Sequence, residues 1–201
     1  MNLDEAIQKR RSIRQYKDQQ IPFEKLTLLL EAGRHAPSSG NLQDFKFIIV
    51  NDKDKKNKIA NFSLKQFWMN EAPVFIVVCS DFQRLKTFYK EKADIYSNQN
   101  AAAAAMLLSL KAVDLGLATC WVSVFDQAQV SKILGIKGGI IPQIILTVGY
   151  QSEKNIKEKP KIKLSKITFF NEYGTKTTDV KNWIKEKYTD KIKNLVKKLK
   201  K

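Results

Sequence analysis

"PVFIVVCS", residues 73–80, carries six apolar residues in a row behind a proline. An uninterrupted run of that length, without polar alternation, suits a strand covered on both faces, so it predicts a sheet sandwiched between layers. On its N-terminal side "FKFIIV" (45–50) reads as a second buried strand closed by the turn-like "NDKD", and towards the C-terminus "LATCWVSVF" (117–125) and "PQIILTVGY" (142–150) read as two more. Helical patterns fill the intervals. Asn2 and Glu5 have capping-box spacing ahead of a helix running towards Arg11, which the "RRSIR" cluster ends, and residues 22–35 begin at Pro22 with Leu26, Leu29 and Leu30 on one side. Residues 54–71 are expected to be helical, as is about Asp94 to Leu115, whose "NAAAAAMLLSLKA" leaves little side-chain bulk before the stop at Gly116. Asp126 can cap a short helix through Leu134. Interleaved helices and strands without an internal repeat predict a layered α+β or α/β domain.

With 201 residues, 43% of them hydrophobic, the chain can bury one substantial core. No stretch approaches the roughly 20 apolar residues of a membrane span, so a cytoplasmic, soluble protein is expected. Of the formal net charge of +16, +10 lies in residues 152–201, where sixteen lysines face six acids. A solvated lysine-rich tail accounts for this, and so would a nucleic-acid or anionic membrane surface, although no zinc finger, helix-turn-helix or RNA-binding aromatic signature accompanies it. Within that tail, residues 180–199 place Trp183, Ile184, Tyr188 and Ile192 along one helical stripe, suited to packing on its own domain, across a dimer or on a membrane surface. Cys79 and Cys120, far apart and without CxxC spacing, read as buried free thiols, and the single histidine, His35, makes a metal cluster unexpected.

Arginine is used sparingly: of 36 basic residues only Arg10, Arg11, Arg14, Arg34 and Arg84 are guanidinium, and three fall within five positions. If the first helix continued, Arg10 and Arg14 would share a face with Ser12 and Arg11 beside them, a set suited to a dianionic phosphate or simply a surface cluster. No GxGxxG, GxxxxGK[ST] or GxSxG motif competes. The other unusual stretch is "APSSGNLQ" (36–43), small and polar directly before a buried strand.

Together these motifs resemble the nitroreductase-like family of FMN-dependent oxidoreductases over roughly residues 3–174. "RRSIRQY" is similar to the family's Arg-Arg-Ser-x-Arg signature, "APSSGNLQ" to its Ala-Pro-Ser-x-x-Asn-x-Gln loop and "GLATCWVSVF" to its Gly-Leu-Gly-x-x-Trp segment. "VGY" (148–150) and "KPKIKLSKITFFNEYG" (159–174) resemble its closing elements. The resemblance implies an α+β fold with a central mixed sheet flanked by helices, in a homodimer binding FMN at the subunit interface. The FMN-binding domain would be residues 1–174, with 175–201 a basic amphipathic extension. Carried over, Arg10, Arg11 and Ser12 would hold phosphate and ribityl chain, and Arg14 the N1/O2 edge. Pro37, Ser38, Ser39, Asn41 and Gln43 would come from the partner subunit. Trp121, Val122 and Ser123 would supply backbone contacts, and Lys161, with Lys163 as second choice, would stand in for a phosphate-binding arginine.

No catalytic side chain is required, because in such enzymes hydride moves to and from flavin N5, with NADH or NADPH as donor and small electron-poor acceptors such as nitroaromatics or quinones, by ping-pong transfer. Acceptor choice is expected to lie in variable loops around residues 62–70 and 82–96, where Phe67, Trp68, Phe88 and Tyr89 are candidates for an aromatic lid or for ordinary core and surface positions. The sequence departs from the family pattern at Ala118 (commonly glycine) and at Asp44 (often proline). At the start of the alanine-rich helix, Asn98, Gln99 or Asn100 replaces an acidic residue. A dehalogenase or flavin-cleaving enzyme of the same fold, and a basic nucleic-acid or membrane-surface binder, are the alternatives.

Overall fold

The computed structural model describes residues 1–152 and 160–175. The chain divides into two compact units, Met1–Ile156 and Lys157–Lys201. The apolar stripe of residues 180–199 lies outside the described residues, and the described part of the second unit holds one short helix, Leu164–Ile167.

The first unit is built on four strands: β1 (Phe45–Val50), β2 (Val74–Asp81), β3 (Ala118–Val122) and β4 (Ile140–Gly149), in the order β1-β2-β4-β3. All three ladders are antiparallel, and the parallel contribution that makes the sheet mixed is a bridge between Ser12 and Thr119 at the outer edge of β3. As the unbroken apolar run requires, β2 is covered on both faces. Val74, Ile76 and Val78 join a core with α2 (Phe23–Arg34) and α5 (Ala93–Asp114). Phe75, Val77 and Cys79 join a second core, which includes Ile59 of α3 (Lys53–Asn61) and Val130 of α6 (Gln127–Leu134). Ala101, Ala104, Ala105 and Ala112 are buried, so α5 packs close to the sheet through methyl groups.

Three expectations are corrected. The first helix, α1 (Leu3–Lys9), stops with Arg10 as its C-cap, so Arg10 and Arg14 do not share a helical face. Residues 54–71 are not one helix: α3 ends at Asn61, Leu64 and Lys65 take positive φ, and a short 3-10 turn spans Phe67–Glu71. The Ser63 hydroxyl donates to Ile59 O at 2.8 Å, giving that carbonyl a side-chain partner at the helix end. Finally, residues 82–89, expected as a loop, form the helix α4 (Phe82–Tyr89), whose N-terminus is capped by the Asp81 carboxylate accepting from Arg84 N at 3.1 Å.

Candidate functional site

After α1 the chain runs extended along the open edge of β3. Ile13 N donates to Thr119 O at 3.0 Å and Lys17 N to Tyr150 O at 2.8 Å. Tyr16 anchors the segment: its buried phenol donates to Ile13 O at 2.6 Å and meets Thr147 Oγ1 at 2.7 Å, and burial raises its pKa well above the usual range. In an extended chain side chains alternate, so Arg10, Ser12 and Arg14 fall on one side through a period of two, where helical spacing had been expected. Ser12 and Arg14 are exposed while Ile13 is buried. No carboxylate among the described residues forms an ion pair with Arg10 or Arg14. The Arg14 guanidinium rests over the Trp68 ring, 5.4 Å from its centroid. Arg11 turns the other way, donating to Gln8 O and Arg10 O, the carbonyls at the end of α1, and lining with Lys9 and Lys17 a cavity of about 330 Å³.

Trp121 and Val122 close β3, and Trp121 Nε1 donates to the exposed Ser123 Oγ at 2.5 Å. The turn Phe67–Glu71 packs beside the arginine segment, with Glu71 accepting from Tyr16 N at 3.3 Å. On that turn, Asn70 Nδ2 donates to Asn57 at 3.1 Å, and its buried Oδ1 is the one such side-chain atom among the described residues with no partner. Nothing in the sequence marked Asn70.

The second cluster is the loop 36–43. Gly40, Asn41 and Gln43 all have positive φ (57°, 55° and 49°). Asn41 N donates to Ser38 O, Leu42 N to Ser39 O, and Gln43 N to Ser38 Oγ at 2.8 Å. A Cβ at position 40 would lie 2.5 Å from Tyr89 Oη of α4, so any side chain there has to displace that ring. Pro37 and Asn41 are exposed, Ser38 and Ser39 partly buried.

One chain does not bring the two clusters together. The loop leads into β1 at one sheet edge, and Ser12 lies outside β3 at the other, four strand spacings or about 19 Å away across the sheet. The register separates them further: Phe45 sits level with Ser80, but Thr119 sits level with Val148 and Val74, six residues or about 20 Å along the strands. The aromatic candidates divide likewise, Trp68 beside Arg14 and Tyr89 beside Gly40. Lys161 and Lys163 are exposed and belong to the second unit.

The layered core, the arginine-bearing segment along β3 and the separate serine loop place the chain among α+β proteins with a cation-bearing sheet edge. More specifically, the chain belongs to the nitroreductase family, whose model matches residues 7–68 and 63–150. It is 35% identical over 153 residues to a putative NADH dehydrogenase/NAD(P)H nitroreductase of Archaeoglobus fulgidus, covering 74% of this chain and 84% of the relative. To an FMN reductase of Bacillus subtilis, whose name specifies NAD(P)H, it is 38% identical over 108 residues, 54% of this chain and less than half (43%) of that relative. The structure of an FMN-dependent nitroreductase from Clostridium difficile superposes with a TM-score of 0.72 at 30% identity, covering 84% of this chain and 98% of that one.

The residues present fit FMN. Arg10 and Arg14, two guanidinium groups without carboxylate partners among the described residues, suit a phosphate and an electron-rich ring edge.

Proposed function

We propose that this chain is an FMN-dependent oxidoreductase that uses NADH or NADPH to reduce small electron-poor acceptors, working as a homodimer. The observation that carries the reading is the pair Arg10 and Arg14, presented without carboxylate partners among the described residues on one side of the extended segment at the β3 edge, in a chain of this family. When bound, FMN supplies a two-electron centre that accepts hydride from the nicotinamide at N5 and passes electrons to the acceptor. Arg10 and Ser12 donate to the phosphate and ribityl chain, with Arg11 adding positive field from the opposite side of the same segment. Arg14 holds a fixed charge for the N1/O2 edge, and its contact with Trp68 limits its freedom. Trp121, Val122 and Ser123 offer backbone groups along the ring.

Pro37, Ser38, Ser39, Asn41 and Gln43 serve the site of the partner subunit. The separation of the two clusters within one chain supports this division, since a second copy is needed to complete each site.

The test is purification of the full chain. The expected result is a yellow dimer that retains FMN through gel filtration and whose flavin is bleached anaerobically by NADH or NADPH, followed by a panel of nitroaromatic and quinone acceptors. Colourless protein that does not retain added FMN refutes the reading, and tight FMN binding by a monomer refutes the shared site.

A further inference from the structure

A carboxylate is buried beneath the serine loop without a cation to balance it. Asp44 is fully buried, and among the described residues no lysine or arginine pairs with it. Its oxygens are satisfied by neutral donors: Asn100 Nδ2 of α5 reaches Oδ1 at 2.6 Å and Ser80 Oγ of β2 reaches Oδ2 at 2.5 Å. Its own carbonyl accepts from Asp81 N at 2.7 Å. Such burial is tolerated only with its hydrogen bonds made, and the group draws attention because an apolar or proline residue would serve the strand start as well.

The polarity of this network runs outward to the loop. A carboxylate only accepts, so Asp44 forces the Asn100 amide to turn its NH₂ inward. Asn100 Oδ1 is thereby left facing Ser39, where it accepts from the backbone N at 3.0 Å and from Oγ at 3.2 Å. The Ser39 hydroxyl has one proton and commits it to Asn100. Towards anything lying on the loop it presents lone pairs only.

We infer that Asp44 is a positioning residue: acting through Asn100, it fixes the loop at Ser39 and makes the Ser39 hydroxyl an acceptor towards the bound ligand. Ligand groups opposite Ser39 are therefore selected as hydrogen-bond donors. This rests on the reading that the loop covers FMN held by the partner subunit. The link from Asp44 to the loop, however, can be tested without it.

The experiment reverses the polarity. Asn100→Asp sets two acceptors face to face, whereas the swap Asp44→Asn with Asn100→Asp restores one donor between them and still leaves a carboxylate oxygen for Ser39. Hydrogen exchange in the cofactor-free protein and FMN affinity by fluorescence titration are measured on both variants. In Asn100→Asp, amides of residues 38–43 should exchange faster while those of β2 and β4 stay protected, and FMN affinity should fall about tenfold, the scale of one hydrogen bond between neutral groups. The swap should recover loop protection and most of the affinity. A purely structural role would instead speed exchange across the sheet, with no rescue. Unchanged loop exchange in Asn100→Asp, or a swap that does no better than the single change, overturns the inference. Should Asn100→Asp not fold, the swap alone decides: protection and affinity near those of the unmodified chain uphold it, and their loss overturns it. If the unmodified chain binds no FMN, the proposed function fails and the exchange measurements still judge the network.

Discussion

Gly40→Ala tests whether the serine loop and helix α4 are mechanically joined. The substitution carries two separable costs. Holding alanine at the φ of +57° found at Gly40 costs about 1–2 kcal/mol, because the Cβ of an L-residue crowds the carbonyl in the left-handed region. The new Cβ would also lie 2.5 Å from Tyr89 Oη and 3.6 Å from its Cζ. The ring must swing away, but it is packed edge-on against Tyr96 with centroids 4.6 Å apart, so the displacement forces an off-rotamer tilt of about 0.5–1.5 kcal/mol. Together the loss is about 2–3 kcal/mol, and for a chain of this length each kcal/mol lowers Tm by about 2–4 °C. Tyr89→Phe deletes the hydroxyl and leaves an ordinary contact at Cζ. In that background Gly40→Ala should cost only its backbone share, giving a coupling of about 1 kcal/mol by urea denaturation of the cofactor-free protein. Equal costs in both backgrounds would refute the contact between loop and α4. No cost in either would refute the left-handed conformation.

Arg10→Ala should weaken FMN binding by about 1.5–3 kcal/mol, the worth of a charge-assisted phosphate bond, as read by fluorescence titration. Arg14→Ala should in addition lower the reduction potential of the bound flavin, measured against a reference dye. Co-expressing an Arg10→Ala copy with a Ser39→Trp copy should give heterodimers with one intact site each, recovering the full FMN affinity that is weakened in both parental dimers; no recovery argues against a site shared between copies. Alkaline unfolding should set in above pH 9. Burial pushes the Cys79 thiol up to about 12 and raises Tyr16, so the unfolded chain releases these protons first and stability falls as pH rises. Burial and neighbouring Lys53 lower Lys56, which contributes the opposite slope as pH climbs towards 10.5, so Cys79→Ala should flatten the alkaline loss and Lys56→Met should steepen it in circular-dichroism melts.

The sheet and its helices were legible because their signals are local. An apolar run with no polar alternation announces β2, an aspartate at position 126 announces α6, and five alanines announce α5. Boundaries failed where a side chain or a turn overrode periodicity, as at Ser63 and Leu64, and α4 escaped notice because its cap, Asp81, directly abuts the strand. The arginine segment shows a different limit. Spacing of four suggested a helical face, yet the shared face of Arg10, Ser12 and Arg14 arises in an extended chain. What decides between the two is the free edge of β3 more than a hundred residues away, to which Ile13 hydrogen-bonds.

The same reasoning explains why the polar support beneath the loop was visible only as departures from a pattern. Asp44 and Asn100 are 56 positions apart, and neither has a local role that its neighbours betray. Their pairing becomes informative only once the fold buries both, because in water each would be satisfied by solvent and no orientation would be imposed. Burial removes the solvent, and an acceptor-only group must then dictate the amide opposite it. If the loop serves another subunit's site, as proposed, it has to be held in the binding orientation before the partner arrives. A network anchored in its own core, at β2 and α5, can do so in advance, which lowers the ordering cost when dimer and cofactor come together. On that argument the aspartate found here stiffens the loop by buried polarity, where a proline would do so by backbone constraint.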